Sequence, residues 1–283
     1  MSRGKLPDHV QRGALTGDAM RGAMGTVAGW GAAGLLAAIL AACAPQHAVL
    51  HDGAAAPPAW RTIAAADWKA LVVGGADDRP IYDFAAEDVA SRLRDAGVTR
   101  VALHTASLTA PDGRPRPPAR LSSLRQSLGA LGTRQGEACL LYFSSHGEDG
   151  ALRLVDEPGG RIASVADIDR LATAACGDRP TVLVLSGCET GSFITARLER
   201  PNRIIIAAAA RGRATYAAKL DERHGAFDRC MIGAYDSGAS TWRELFHRVL
   251  PCVAEREAWL GVPASRPQAW FGAAVADLRL PAR

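Results

Sequence analysis

The chain of 283 residues is long enough for one sizeable domain with appendages or for two small domains. Hydrophobic residues make up 48% and charged residues 22% of the sequence, which excludes a chain that is disordered throughout. The net charge is only +4, and no aromatic residues interleave with a basic patch, so composition does not support nucleic-acid binding.

The N-terminal segment has the layout of an export signal. Residues 32–42 form an uncharged apolar run that follows basic residues, the nearest being Arg21, and directly precedes Cys43. A basic segment, an apolar run and small residues in this order are typical of a secretory signal peptide. The ending Leu40-Ala-Ala-Cys43 resembles a bacterial lipobox, which implies that Cys43 is lipidated. We therefore expect residues 1–43 to be a signal peptide ending in a lipobox.

This interpretation predicts an exported protein, anchored by lipid in the bacterial envelope and facing the periplasm. The alternative is a transmembrane anchor with an incidental cysteine, but the apolar run is short and rich in Ala and Gly for a stable span. Residues 44–66 are rich in Ala, Pro and His without periodicity, which predicts a flexible tether.

From residue 67 onward, short apolar runs alternate with amphipathic stretches. The pattern predicts strands over residues 69–75, 98–104, 138–145, 181–186, 203–209 and 269–275. It predicts helices over residues 81–96, 121–131, 165–175, 190–198, 225–235 and 241–259. Strands that alternate with helices favour an α/β domain, here over residues 67–283, with a mainly parallel six-stranded sheet, helices on both faces and a C-terminal helical and strand extension.

Two predicted strands end in polar, glycine-bearing turns. Leu141-Tyr-Phe-Ser-Ser-His146-Gly147 delivers a histidine, and Val182-Leu-Val-Leu-Ser-Gly-Cys188 delivers a cysteine. Ligands bind beyond the carboxyl ends of parallel strands, so these turns are expected to face each other and the loop at residues 77–79. An imidazole beside a thiol is the minimum apparatus for thiol-based acyl chemistry.

The expected roles follow from the chemistry of thiols. A neighbouring imidazolium or a helix N-terminus favours the reactive thiolate, and the predicted helix at 190–198 would point its free N–H groups at Cys188. His146 would protonate the leaving amine and then activate water. The N–H groups of Gly147 and Cys188 are expected to bind the oxyanion.

The two turns also carry a family resemblance. Tyr142-Phe-Ser-Ser-His146-Gly147-Glu-Asp-Gly150 and Ser186-Gly-Cys188-Glu189-Thr-Gly191-Ser192 resemble the two catalytic motifs of the legumain-like cysteine peptidases, relatives of the caspases. The resemblance covers roughly residues 68–235. It implies a caspase-like three-layer sandwich, His146 and Cys188 as a catalytic dyad, a peptide or protein substrate, and chemistry that uses neither metal nor cofactor.

The same resemblance suggests residues that contact substrate. Arg213-Ala-Thr-Tyr216-Ala217 is similar to the segment that lines the family's specificity pocket, which implies Thr215 and Tyr216, and Asp228 falls near the family's acidic pocket residue. Glu189 either rims this pocket or caps the following helix. The first loop departs from the family, because it has no Asn and Arg79 is its only basic candidate. The preference of the family for asparagine in the substrate is therefore not expected of this chain.

Four further cysteines, Cys139, Cys176, Cys230 and Cys252, can pair in an exported protein in ways that the sequence does not reveal. Cys139 lies inside an apolar run, which favours a buried small hydrophobe. The function expected from these observations is a cysteine endopeptidase that works through a thioester acyl-enzyme. Two alternatives remain open: a lipid-anchored, non-catalytic scaffold of the same fold, and a transpeptidase that uses the same dyad.

Overall fold

The computed structural model of the chain describes residues 50–52, 61–110, 112–155, 162–216 and 222–281. The expected signal peptide, Cys43 and most of the expected tether lie outside the described residues. All described residues belong to one unit of the chain. None of the described helices is both long and apolar enough to cross a membrane.

The central sheet has seven strands: β1 (Leu50–Asp52), β2 (Trp68–Gly74), β3 (Arg100–His104), β4 (Ala138–Ser144), β8 (Thr181–Ser186), β9 (Arg203–Ala207) and β10 (Gln268–Phe271). They lie in the spatial order β1-β10-β9-β8-β4-β2-β3. Every neighbouring pair is parallel except β10 with β9, which is antiparallel. All six predicted strands are present.

The seventh strand corrects the expected tether. Leu50–Asp52 pairs in parallel with Gln268–Phe271, so this part of residues 44–66 extends the sheet rather than hanging free. The run is too short and too poor in β-branched residues to be recognised from its sequence. It is recruited because it covers the edge of β10.

A small second sheet stands beside the end of β4. Its strands are β5 (Gly147–Glu148), β6 (Ala151–Arg153) and β7 (Ile162–Ser164), and both pairings are antiparallel. This sheet begins at Gly147, directly after His146.

Helices cover both faces of the central sheet. They are α1 (Ile81–Asp95), α2 (Leu121–Ala130), α3 (Val165–Cys176), α4 (Ala226–Asp236) and α5 (Trp242–Leu260). One apolar cluster packs α1, α4 and α5 against the sheet, and another packs α2 and α3 against the opposite face. Strands β2, β4 and β8 are therefore buried on both faces, which explains their largely apolar sequences.

The predicted helix at residues 190–198 is wrong. Only Thr190–Phe193 is helical, as a single 3₁₀ turn. The Thr190 hydroxyl donates to the Gly187 carbonyl, and the Ser192 hydroxyl donates to the Glu189 carbonyl. Such local bonds from hydroxyl side chains compete with α-helical pairing, so the chain turns instead of continuing as a helix.

Two disulfides join elements of the domain. Cys139 in β4 bonds to Cys176 at the end of α3, and Cys230 in α4 bonds to Cys252 in α5. The expectation that Cys139 is only a small hydrophobe is therefore wrong, although the residue is fully buried. Among the described residues, Cys188 is the one free cysteine.

Candidate active site

The histidine and the cysteine leave the sheet at one edge. Strands β4 and β8 pair in parallel, with Ser144 opposite Ser186. His146 and Cys188 each follow two residues beyond these paired serines, so the register brings their turns side by side. Both residues line a cavity of about 160 Å³, here called the Cys188 cavity. The structure therefore places both predicted residues at one cavity.

The two turns touch through their backbones, and glycine is required at the contact. A Cβ atom on Gly147 would collide with the carbonyl oxygen of Cys188 and would lie 3.2 Å from the Cys188 nitrogen. A Cβ atom on Gly187 would lie 2.7 Å from the carbonyl oxygen of Ser145. The backbones of Gly147 and Cys188, the expected oxyanion donors, are therefore immediate neighbours.

A hydrogen-bonded bridge holds the turn after Cys188 against the turn after His146. The Gly150 N–H donates to the Ser192 hydroxyl at 2.7 Å, and that hydroxyl donates to the Glu189 carbonyl at 2.6 Å. Thr190 accepts a bond from the Ala208 N–H at 3.0 Å, which ties the same turn to the end of β9. Thr190 and Ser192 thus have structural roles that explain this motif.

His146 has two polar neighbours from the loop after β2 and the start of α1. Its Nε2 atom lies 2.7 Å from Oδ2 of Asp78. The Tyr82 hydroxyl lies 3.2 Å from Nδ1, and the two rings meet edge to face with centroids 5.1 Å apart. Sequence reasoning pointed to this loop as part of the site but singled out only Arg79. An acidic and an aromatic residue in a loop at the same sheet edge were the available signal.

Electrostatics give these two neighbours defined protonation states. Burial alone would raise the pKa of Asp78, but the hydrogen bond and charge of His146 outweigh burial and lower it. The pKa of Tyr82 is raised well above its usual value by burial, and then by the negative charges of Asp78 and Cys188. At neutral pH, Asp78 is therefore an acceptor for His146 Nε2–H, and Tyr82 keeps its proton.

The backbone N–H that donates to Cys188 belongs to Thr215 and not to the turn that follows Cys188. The N–H of Thr215 donates to Sγ at 3.4 Å, and the Thr215 carbonyl and hydroxyl oxygens lie 3.8 and 3.9 Å from the sulfur. Since only a single 3₁₀ turn follows Cys188, the expected support from a helix N-terminus is wrong. The loop that carries Thr215, and not the turn after Cys188, therefore supplies the polar contacts of the sulfur.

Four of the five expected substrate contacts line the Cys188 cavity: Arg79, Thr215, Tyr216 and Asp228. Glu189 does not line the cavity. It adopts a left-handed backbone with φ of 56°, and its carboxylate accepts a hydrogen bond from the Gly212 N–H at 3.1 Å. Glu189 therefore holds the neighbouring loop in place.

Asp228 lies at the buried floor of the cavity. Its carboxylate accepts hydrogen bonds from the Tyr142 hydroxyl at 2.6 Å and from the Ser144 hydroxyl at 2.9 Å. Burial raises the pKa of Asp228, while these bonds oppose the rise. Because Asp228 lies in α4 and both donors lie in β4, these hydrogen bonds join the two elements beside the cavity. Within the described ranges, no group of three or more His, Cys, Asp or Glu side chains is arranged to hold a metal ion.

The part of the chain that carries this site matches the model of one known protein family. Residues 122–241 match the family model described as the Peptidase C13 family. The matched stretch contains both His146 and Cys188. No match to the chain was found among curated proteins.

Proposed function

Residues 122–241 match the Peptidase C13 family of legumain-like cysteine peptidases, and on this premise we propose that the chain is a cysteine endopeptidase. The predicted α/β fold class, a caspase-like sandwich, agrees with that family and with the mainly parallel sheet. The match implies a peptide or protein substrate. One observation carries the finer proposal: the parallel register of β4 and β8 brings His146 and Cys188 to one cavity.

In the proposed first step, Sγ of Cys188 attacks the carbonyl carbon of the scissile bond while His146 takes the thiol proton. His146 then delivers that proton to the nitrogen, the C–N bond breaks, and the amine leaves. A thioester now links the acyl part of the substrate to Cys188. In the second step His146 removes a proton from water, whose oxygen attacks the thioester, and the acid and the free thiol are released.

The neighbours of the dyad support these steps. Because the ionised Asp78 can only accept a hydrogen bond, Nε2 of His146 carries a proton, and Nδ1, which the Tyr82 hydroxyl faces at 3.2 Å, is the basic nitrogen that would exchange protons in the reaction. The N–H of Thr215 donates to Sγ of Cys188 and helps to hold the sulfur in the cavity. The N–H groups of Gly147 and Cys188 would bind the oxyanion that forms on the carbonyl oxygen.

The Cys188 cavity is proposed to hold the substrate side chain that precedes the scissile bond. Its volume of about 160 Å³ suits one side chain, and it combines the basic Arg79 with the acidic Asp228. Thr215 and Tyr216 would contact the same side chain. Glu189 is excluded from this proposal because its carboxylate is bonded to Gly212.

We also propose that the protein is exported and anchored by lipid at Cys43, facing the periplasm. The two disulfides among the described residues support this proposal, since disulfides persist mainly outside the cytoplasm. Metabolic labelling with a fatty-acid probe should mark the parent protein but not Cys43→Ser. Equal labelling of both proteins would contradict the anchor.

The peptidase proposal is tested by labelling with an electrophilic peptide probe, followed by sequencing of the products from a diverse peptide library. The parent protein should react at Cys188 and release new N-termini, and Cys188→Ala should do neither. Probe labelling that persists in Cys188→Ala would overturn the assignment of the nucleophile. A thiol that alkylates no faster than free cysteine would favour the scaffold, and joined peptides in place of cut ones would favour the transpeptidase.

A further inference from the structure

A second cavity opens beside His146, and its walls differ from those of the Cys188 cavity. It has a volume of about 330 Å³ and is lined by His146, Gly147, Glu148, Arg153 and Ile162. Among these, His146 alone also lines the Cys188 cavity. The imidazole therefore lies at the boundary between two cavities, of which one contains the thiol.

The proposed chemistry indicates which part of the substrate would lie in this second cavity. The acyl part of the substrate stays bonded to Cys188, whereas the amine takes its proton from His146 and departs. The first residue after the scissile bond must therefore lie next to His146, on the side away from the thiol. We name this space the leaving-side cavity.

Strand pairing puts one apolar side chain into the wall of the leaving-side cavity. Arg153 and Ile162 are directly opposite in the antiparallel pair β6–β7, so their side chains share one face. The next pair, Leu152 with Ala163, faces the core and is completely buried. Alternation would place a polar residue at position 162, yet an isoleucine stands there with 47% of its surface exposed.

Among the described residues that line the cavity, Ile162 is the one large apolar side chain. Arg153 is paired with Asp77 at 3.3 Å, and its charge is thereby directed toward the loop that carries Asp78. Glu148 is exposed to solvent at the other side. An apolar side chain of the substrate would cover the exposed isoleucine, while the charge of Arg153 keeps its partner Asp77.

The geometry points to a subsite for the residue after the scissile bond, with Ile162 as its specificity-determining contact and large apolar side chains as its ligands. This inference rests on the proposed peptidase function and adds the substrate class on the leaving side. The subsite discriminates by contact area, so the preference is for leucine, isoleucine or phenylalanine over serine or glycine.

The test uses a peptide that the library experiment has shown to be cut, made in two forms that differ only after the scissile bond. The parent enzyme should cut the leucine form with kcat/KM about tenfold above that of the serine form, the size expected for partial burial of one such side chain. In Ile162→Thr the ratio should fall to about twofold. Threonine keeps the β-branched shape that suits β7, so the hairpin should persist.

Leu108→Thr is the matched control, because Leu108 is also an exposed large hydrophobic residue, at 52%, and lines neither cavity. It should keep the tenfold ratio. A second measurement needs no variant: leucinamide should intercept the acyl-enzyme about tenfold better than glycinamide at equal concentration.

Each outcome separates this inference from the proposed function. Equal rates on the two peptides, equal interception by the two amides, or an unchanged ratio in Ile162→Thr would overturn the subsite while leaving the peptidase intact. A parent protein that cuts no library peptide and fails to label at Cys188 would instead overturn the proposed function, and the subsite with it.

Discussion

Asp78 and His146 are 68 positions apart in the sequence, yet their side chains lie 2.7 Å apart at one edge of the central sheet. The loop after β2 supplies the carboxylate, and the turn after β4 supplies the imidazole. Because β2 and β4 are adjacent parallel strands, both loops leave the sheet at the same edge. In this pair Nε2 of His146 faces the carboxylate, so Nδ1 is the nitrogen that the proposed mechanism uses.

Removal of the Asp78 carboxylate should weaken catalysis. We expect Asp78→Ala to lower kcat by about tenfold to a hundredfold, because the ring of His146 loses the acceptor that selects its tautomer. Asp78→Asn retains an acceptor oxygen and should lose less. Asp77→Asn removes the same charge one residue away and is the matched control. Equal kcat values for Asp78→Ala and Asp77→Asn would rule out a positioning role.

Tyr82 should contribute through its hydroxyl alone. Tyr82→Phe retains the edge-to-face ring contact but removes the group 3.2 Å from Nδ1 of His146, and we expect kcat to fall about tenfold with little change in KM. Tyr235→Phe is the control, since it also loses one hydrogen bond, to the Pro281 carbonyl, on a different part of the domain. A change in KM alone would show that Tyr82 contacts substrate and does not position the imidazole.

Gly147→Ala should abolish activity for steric reasons. The added methyl group would collide with the carbonyl oxygen of Cys188 and push apart the two turns that hold the dyad. Gly129→Ala makes the same change in α2, where the added carbon meets no atom within 4 Å, and should be neutral or slightly stabilising. Steady-state rates and the melting temperature of both variants test the prediction. Full activity in Gly147→Ala would show that the turns do not need this contact.

His104 should make the domain sensitive to acid. Burial lowers the pKa of His104, whose Nδ1 faces the Pro118 carbonyl and whose Nε2 faces the Ser127 hydroxyl. Below a pH of about 6.5 the unfolded chain binds a proton that the folded protein resists, so stability falls as the pH drops.

Urea unfolding at several pH values between 7.5 and 5 measures this effect. Buried Asp83 and Asp228, whose pKa values are raised by burial, act in the opposite direction, so the slope must be compared with that of a variant. His104→Gln should be less stable at pH 7.5 but should lose less stability on acidification. The same slope in both proteins would contradict the assignment to His104.

Glu137 should be essential to stability at the edge of the sheet opposite the site. It is completely buried, and it pairs with Lys69 at 3.0 Å and with Arg100 at 2.7 Å. Glu137→Gln would leave two buried cations without a counter-charge, at a cost of about 3–5 kcal/mol in the free energy of unfolding. Asp112→Asn, which breaks an exposed pair with Arg114, should cost under about 1 kcal/mol. If both variants lost a similar free energy of unfolding, burial of Glu137 would not be the reason for its contribution to stability.

The sequence was sufficient for six strands of the central sheet and for the position of His146 and Cys188 at one edge of it, for a local reason. An uninterrupted apolar run that stops at a glycine-bearing turn identifies a buried parallel strand, and the residue at its end must lie at the ligand-binding edge. His146 and Cys188 could therefore be expected at this edge without knowledge of contacts. The helix predicted at residues 190–198 failed because hydrogen bonds from Thr190 and Ser192 to the backbone outweighed its helical spacing.

Only the tertiary structure decides which residues contact His146 and Cys188 and which residues line the cavities beside them. Asp78 bonds to His146, Thr215 donates to Cys188, and Glu189 turns away to Gly212, and each of these contacts depends on how loops from separate strands meet. The pairing of Cys139 with Cys176 is of the same kind. Sequence periodicity reports which face of an element is buried, whereas distances between loops follow from strand order and register, which no single segment encodes.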